Sequence, residues 1–243
     1  MKKIFAIAAM AAMLIACGEN NGEENKPNGG ENNGNGNTEE VYVDPITIDG
    51  DFADWAALDA SKVTVVTCAE NPYYAALKTV KVYADDLYIN IYFEAEYLTE
   101  GDDANDFHID VCLNCDGDET TGGYAENWTD AGIDFLLEGC VRTAGAFVDY
   151  DADAFAWAGE VGAAGWSWNA DLGVAAGAGL TAGKGTFEGY EIKILKDLIP
   201  MNFGETYTLG VGLSMSWNRY GLLPNADVTE EDVKGLAAQI VVE

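Results

Sequence analysis

Histidine is almost missing from this chain: His108 is the one imidazole in 243 residues. Positive charge is scarce too, with 12 Lys and Arg against 42 Asp and Glu and a formal net charge of −30. Nucleic acid is thereby excluded as a partner, because phosphate backbones are held by clustered Lys and Arg. Neither G-x-S-x-G, H-E-x-x-H nor a Gly-rich phosphate loop occurs. No internal repeat of solenoid period is present. The longest apolar run, Ile4 to Ala16, falls short of the ~20 residues a transmembrane helix needs. A glycosidase needs only two carboxylates some ~5–10 Å apart, which so many acids leave unplaced; an enzyme is the less favoured class.

What is present is enough apolar material for a core. Hydrophobic residues make up 49% of the chain and aromatics 11%, which argues against the disorder that acidity alone would bring. The surplus of acid favours solubility and divalent cations.

Lys2-Lys3 precede the apolar run, and Leu14-Ile15-Ala16-Cys17 closes it. A charged start, a short apolar stretch and a small residue at the cut fit a secretory signal. The last four residues resemble the lipobox of bacterial lipoproteins. That resemblance implies removal of residues 1–16, lipidation of Cys17 and attachment to a membrane through the N-terminal lipid. Residues 17–40 are then a tether, rich in Gly, Asn and Glu, with an average reach on the order of 25 Å. Glu19, Glu23 and Glu24 are similar to the acidic export signals of Bacteroides-type surface lipoproteins. The location this implies is the outer membrane, facing the cell surface.

From Val41 the pattern changes to period two. Leu87, Ile89, Ile91 and Phe93 alternate with polar or aromatic neighbours, as do Phe107, Ile109, Val111 and Leu113. The same alternation predicts strands over Ile133–Leu137, Tyr190–Ile194 and Tyr207–Leu213. Further candidates are Ile46–Ile48, Val63–Thr67, Thr79–Ala84, Ala146–Tyr150 and Ala238–Val242. Helix is limited to turns at Asp54–Leu58, Lys196–Ile199 and Thr229–Lys234. The fold class expected is all-β, a two-sheet jelly-roll-like β-sandwich formed by residues 41–243 as a single domain.

Ile48-Asp49-Gly50-Asp51-Phe52-Ala53-Asp54-Trp55 resembles the opening of carbohydrate-binding family 9 and DOMON-like domains. Val80–Ile89, His108–Asp116 and the pair Tyr190–Ile194 with Leu198-Ile199-Pro200 are similar to later parts of that family, in the same order. The resemblance implies a β-sandwich and glycan binding. Trp55 reads as a plug under the first turn, since bulky aromatics dominate cores.

Asn114, Asp116 and Asp118 place oxygens at alternate positions, with Thr121 behind them. Calcium takes six to eight oxygens from a curled loop, so these four are candidate ligands for a structural calcium. A solvated acidic turn is the alternative; the loop departs from an EF-hand at Glu119 and Ala125. Cys68, Cys112, Cys115 and Cys140 read as structural thiols or disulfides. Zinc is disfavoured because a continuous strand points Cys112 and Cys115 to opposite faces.

Trp157, Trp166 and Trp168 lie in a stretch of small residues, and Trp166 and Trp168 share a face if extended. Flat aromatic faces suit sugar rings, and Asp153 is an acceptor for hydroxyls. Covering one end of the sandwich is the alternative role for these tryptophans. His108 reads as an exposed or lightly paired strand residue. The expected function is a lipid-anchored glycan-binding module; a structural or interaction subunit of a surface assembly, with a surface protein as partner, is the alternative.

Overall fold

The computed structural model describes residues 42–101, 104–123, 128, 131–163, 179–226, 228–229 and 240–242, with the backbone of 168–169. The expected signal and tether with Cys17, Trp166, and all of the turn expected at Thr229–Lys234 except Thr229 lie outside them. Val43–Glu243 forms one compact unit, and it is a two-sheet, jelly-roll-like β-sandwich. Among the described residues no helix is long and apolar enough to cross a membrane.

The first sheet runs β1 (Val63–Thr67), β2 (Leu77–Ala84), β3 (Tyr88–Ala95), β10 (Gly189–Leu195), β9 (Thr181–Thr186). The second runs β12 (Asn218–Leu223), β11 (Tyr207–Met215), β4 (Phe107–Asn114), β5 (Phe135–Thr143), β7 (Asp153–Trp157), β8 (Trp168–Asn169). β13 (Ile240–Val242) adds to β11, and β6 (Ala146–Phe147) to β5. Every pairing is antiparallel. The period-two apolar sets do what alternation dictates: Ile89, Ile91 and Phe93 meet Ile109, Val111, Leu137 and Leu209 in one core between the sheets.

Four strands arise without alternation in sequence. β9, Thr-Ala-Gly-Lys-Gly-Thr, looks like a loop. Its glycines are there because a Cβ on Gly183 would lie 2.5 Å from the Tyr150 side chain and one on Gly185 2.1 Å from the Tyr190 ring. β7 buries only alanines, β8 is two residues long, and β12 is broken by a bulge opposite Leu213/Ser214. Conversely Ile46–Ile48 is not a strand. Its apolar residues instead pack on the outside of the first sheet, Ile46 with Trp55 and Tyr92.

That outer packing is organised by β10. Glu191, fully buried, accepts from the backbone N–H of Asp49 (2.9 Å) and Gly50 (2.8 Å) through Oε1, and from Trp55 Nε1 (3.3 Å) through Oε2. Lys193 pairs with Asp44 at 2.5 Å and donates to the Ile46 carbonyl. Trp55, 6% exposed in the short helix α1 (Ala53–Ala57), is therefore a structural plug. Burial pushes the Glu191 carboxyl up, while the N–H groups of Gly50, Asp49 and Trp55 pull it back. Glu191→Ala would strand these buried donors and is expected to cost about 3 kcal/mol in urea unfolding. A loss below about 1 kcal/mol would show that the clamp is dispensable.

Candidate functional site

An antiparallel sheet has an outer face as well as an inner one, and on the second sheet that face is divided. One half is roofed. Trp128, fully buried, lies over Gly210, where a Cβ would sit 2.7 Å from its ring, and donates from Nε1 to the Pro224 carbonyl at 3.0 Å. Cys112, Ile133, Leu136, Leu222 and Val228 complete this second core.

The other half is polar. Strand register sets Arg219, Ser214, His108 and Cys140 in one row across β12, β11, β4 and β5. The next row is Gly212, Asp110, Glu138 and Asp153. Neighbours within a row have Cα atoms about 4.5–5.5 Å apart. Asp110 and Glu138 are thus facing carboxylates. Burial pushes the Asp110 carboxyl up to about 7; Glu138 adds to this and Arg219 opposes it. The His108 imidazole is held below its ordinary value by burial, against the pull of Asp106.

At the end of this face the β11–β12 hairpin turns on Ser216 and Trp217, with φ of 49° and 65°. Two-residue turns of this kind favour Asn and Gly, because both central residues need positive φ. Here they hold a tryptophan 71% exposed and stacked on His108, centroids 4.3 Å apart at 25°. The turn is buttressed by Ser216 N donating to the Asp106 carbonyl at 3.0 Å. Around the edge of β12, Pro72, Tyr73, Tyr74, Tyr97, Tyr220, Arg219 and Glu96 line a cleft of about 370 Å³. Its walls are braced: Tyr97 and Tyr220 meet edge to face at 4.9 Å, and the Arg219 guanidinium lies 5.4 Å from the Tyr74 ring centre. Tyr74 itself takes a left-handed backbone, φ 52°. Arg219 therefore belongs to both the cleft and the polar face. Arg142, by contrast, is fully buried among Phe107, Phe147 and Phe187 and is structural.

Asp153 is exposed on β7 beside Glu138, in the polar row. Trp157 is half-buried on the same strand; its ring covers Gly123 and its Nε1 donates to the Glu160 carbonyl at 3.2 Å. The backbone of Trp168 pairs with Trp157 in β8; its side chain, like Trp166, lies outside the described residues. Cys112 is in the outer core and Cys115 in the inter-sheet core, on opposite faces, and Cys68, Cys112, Cys115 and Cys140 are free thiols.

The acidic loop closes on itself. Asn114, fully buried, accepts from Gly117 N at 2.8 Å and donates to the Ala131 carbonyl at 2.9 Å. Asp116 accepts from Asp118 N and Asp118 from Thr120 N, each at 2.8 Å, and Thr121 Oγ1 donates to the Asp118 carbonyl at 2.9 Å. Among the described residues no three His, Cys, Asp or Glu side chains converge as a metal site.

Sequence reasoning missed Trp217, Ser214, Arg219 and the tyrosine cleft. The signal for Trp217 was a lone Trp between two apolar segments without the usual Gly or Asn-Gly turn. No protein-family model, curated protein or solved structure matches the chain.

The raised Asp110 carboxyl is expected to make stability depend on pH. Its ordinary value is 3.8, so the raised folded value stabilises fully below about pH 4 and that contribution is lost as pH rises through about 7. Asp110→Asn should therefore melt progressively higher than the parent as pH goes from 4 to 8. A gap that stays constant or shrinks over that range would remove Asp110 as the titrating group.

Proposed function

We propose that the chain is a lipid-anchored extracytoplasmic binding module whose ligand is a glycan. The observation that carries this reading is Trp217, held 71% exposed on a strained turn and backed by the His108 ring. Holding tryptophan in water on a left-handed backbone costs of order ~1–3 kcal/mol per residue, of which the His108 stack offsets only about 1 kcal/mol. Such a residue is explained by what it touches from outside. Sugar rings present flat C–H faces that stack on indole, and their hydroxyls find Arg219, Glu96 and the tyrosine hydroxyls of the adjoining cleft.

The resemblance of Ile48–Trp55 to carbohydrate-binding family 9 and DOMON-like domains supports the same reading. The lipobox resemblance at Leu14–Cys17 supports delivery to the outer membrane. No chemical step is required of any residue. The surface-assembly alternative would use the same exposed hairpin against a protein partner.

Trp217→Gly separates binding from stability. Glycine relieves the positive φ by about 1 kcal/mol, while loss of the His108 stack costs about the same, so the variant should unfold within about 1 kcal/mol of the parent. Its retention on gels of neutral polysaccharide should fall at least tenfold. Parent protein that runs unretarded on dextran, pullulan, laminarin, mannan and xyloglucan gels would defeat the glycan reading.

A structural calcium at Asn114, Asp116, Asp118 and Thr121 is a separate part of the proposal, in a loop whose turns also close by their own hydrogen bonds. A melting temperature higher in millimolar calcium than in EDTA is expected. Coinciding melting temperatures would remove calcium from the loop.

A further inference from the structure

Among the described residues, two buried polar atoms on the outer face of the second sheet have no hydrogen-bond partner: Asp110 Oδ1 and Ser214 Oγ. They are not scattered. Ser214 faces His108 across β11 and β4, and Gly212 faces Asp110, so the two groups are diagonal neighbours on one side of the sheet. Diagonal positions lie about 7–8 Å apart. Gly212 brings no side chain to the row, and Ser214 is only 9% exposed.

An unmade hydrogen bond at a buried hydroxyl or carboxyl costs ~1–3 kcal/mol, and here it occurs twice within one patch. The patch is bounded by Trp217 on His108 at one end and the roof of Trp128 at the other. Asp110 itself keeps part of its surface exposed, so the patch lies at the boundary between roof and solvent. Buried hydroxyl and carboxyl groups are as a rule hydrogen-bonded, and a group that bonds to both hydroxyl donors and acceptors would satisfy these two together.

We propose that Asp110 and Ser214 form a subsite for one ring of a neutral, hydroxyl-rich sugar, the two side chains bonding to its hydroxyls beside the Trp217 platform. The proposal rests on the glycan-binding reading above and adds the location and charge class of the ligand. Neutrality follows from the row itself. Asp110, Glu138 and Asp153 are neighbours across three strands, and the whole chain carries −30, so uronic or sulfated sugars are repelled. A protonated Asp110, favoured by burial and by Glu138 against Arg219, can both donate to and accept from a hydroxyl.

The test is calorimetry at pH 6 with oligosaccharides cut from whichever neutral polysaccharide retains the full protein best, comparing Asp110→Asn, Ser214→Ala and Trp217→Gly. Polygalacturonate and heparin serve as acidic probes. Ser214→Ala should weaken the neutral ligand about tenfold and Asp110→Asn about threefold to tenfold, since an amide keeps an acceptor and a donor but in fixed positions. Both variants should melt at or above the parent at pH 8, which excludes misfolding as the cause. Wild-type affinity in both variants, with binding lost in Trp217→Gly, would overturn the subsite and leave the glycan reading standing. Tighter binding of the acidic probes would overturn the neutral class. Absence of neutral-sugar binding by the parent would overturn both.

Discussion

Two stacked antiparallel sheets bury only one face of each against the other, and everything else in this molecule follows from how the two remaining faces are managed. On the first sheet the centre of the outer face is covered by chain from the N-terminal side, while Val65 and Lys184 at its edges stay exposed. Glu191 and Lys193 reach out from β10 and hold residues 44–55 by backbone and side-chain contacts, so that Trp55 and Ile46 cover Tyr92. On the second sheet the cover among the described residues is incomplete. Trp128 roofs the half around Cys112 and Leu136, and the half around Asp110, His108 and Ser214 is left polar.

That division separates residues that look alike in composition. Trp55 and Trp128 are buried and have their indole N–H groups satisfied. Trp217 is exposed, and the backbone that presents it is left-handed at two successive residues. Arg142 is buried among phenylalanines, whereas Arg219 stands between the tyrosine cleft and the carboxylate row. The glycan-binding proposal rests on those differences of environment, and fold alone would not distinguish them.

The sandwich was legible because half-buried strands must alternate: β3, β4, β10 and β11 are all visible as period-two runs. β9 was not, because its inward positions are glycines cut to fit Tyr150 and Tyr190, and glycine reads as loop. Ile46–Ile48 imitated a strand because its apolar residues face a sheet from outside without joining its ladder. The opposite facing of Cys112 and Cys115 was also legible, since it needs only strand periodicity. The candidate site was mostly illegible. Asp153 and Trp157 proved to share the outer face of the second sheet with Asp110 and Glu138, but which of 42 acids are neighbours is a matter of register across β4, β5 and β7. Register between distant strands leaves no mark in local sequence.

The most direct test of the uncovered face is an amide NMR titration of the intact sandwich with a neutral oligosaccharide. Saturable shifts are expected clustered at His108–Asp110, Ser214–Tyr220 and Tyr73–Tyr74, with the Glu191 clamp unmoved. Shifts confined to the first sheet, or none at millimolar sugar, would contradict binding at this face.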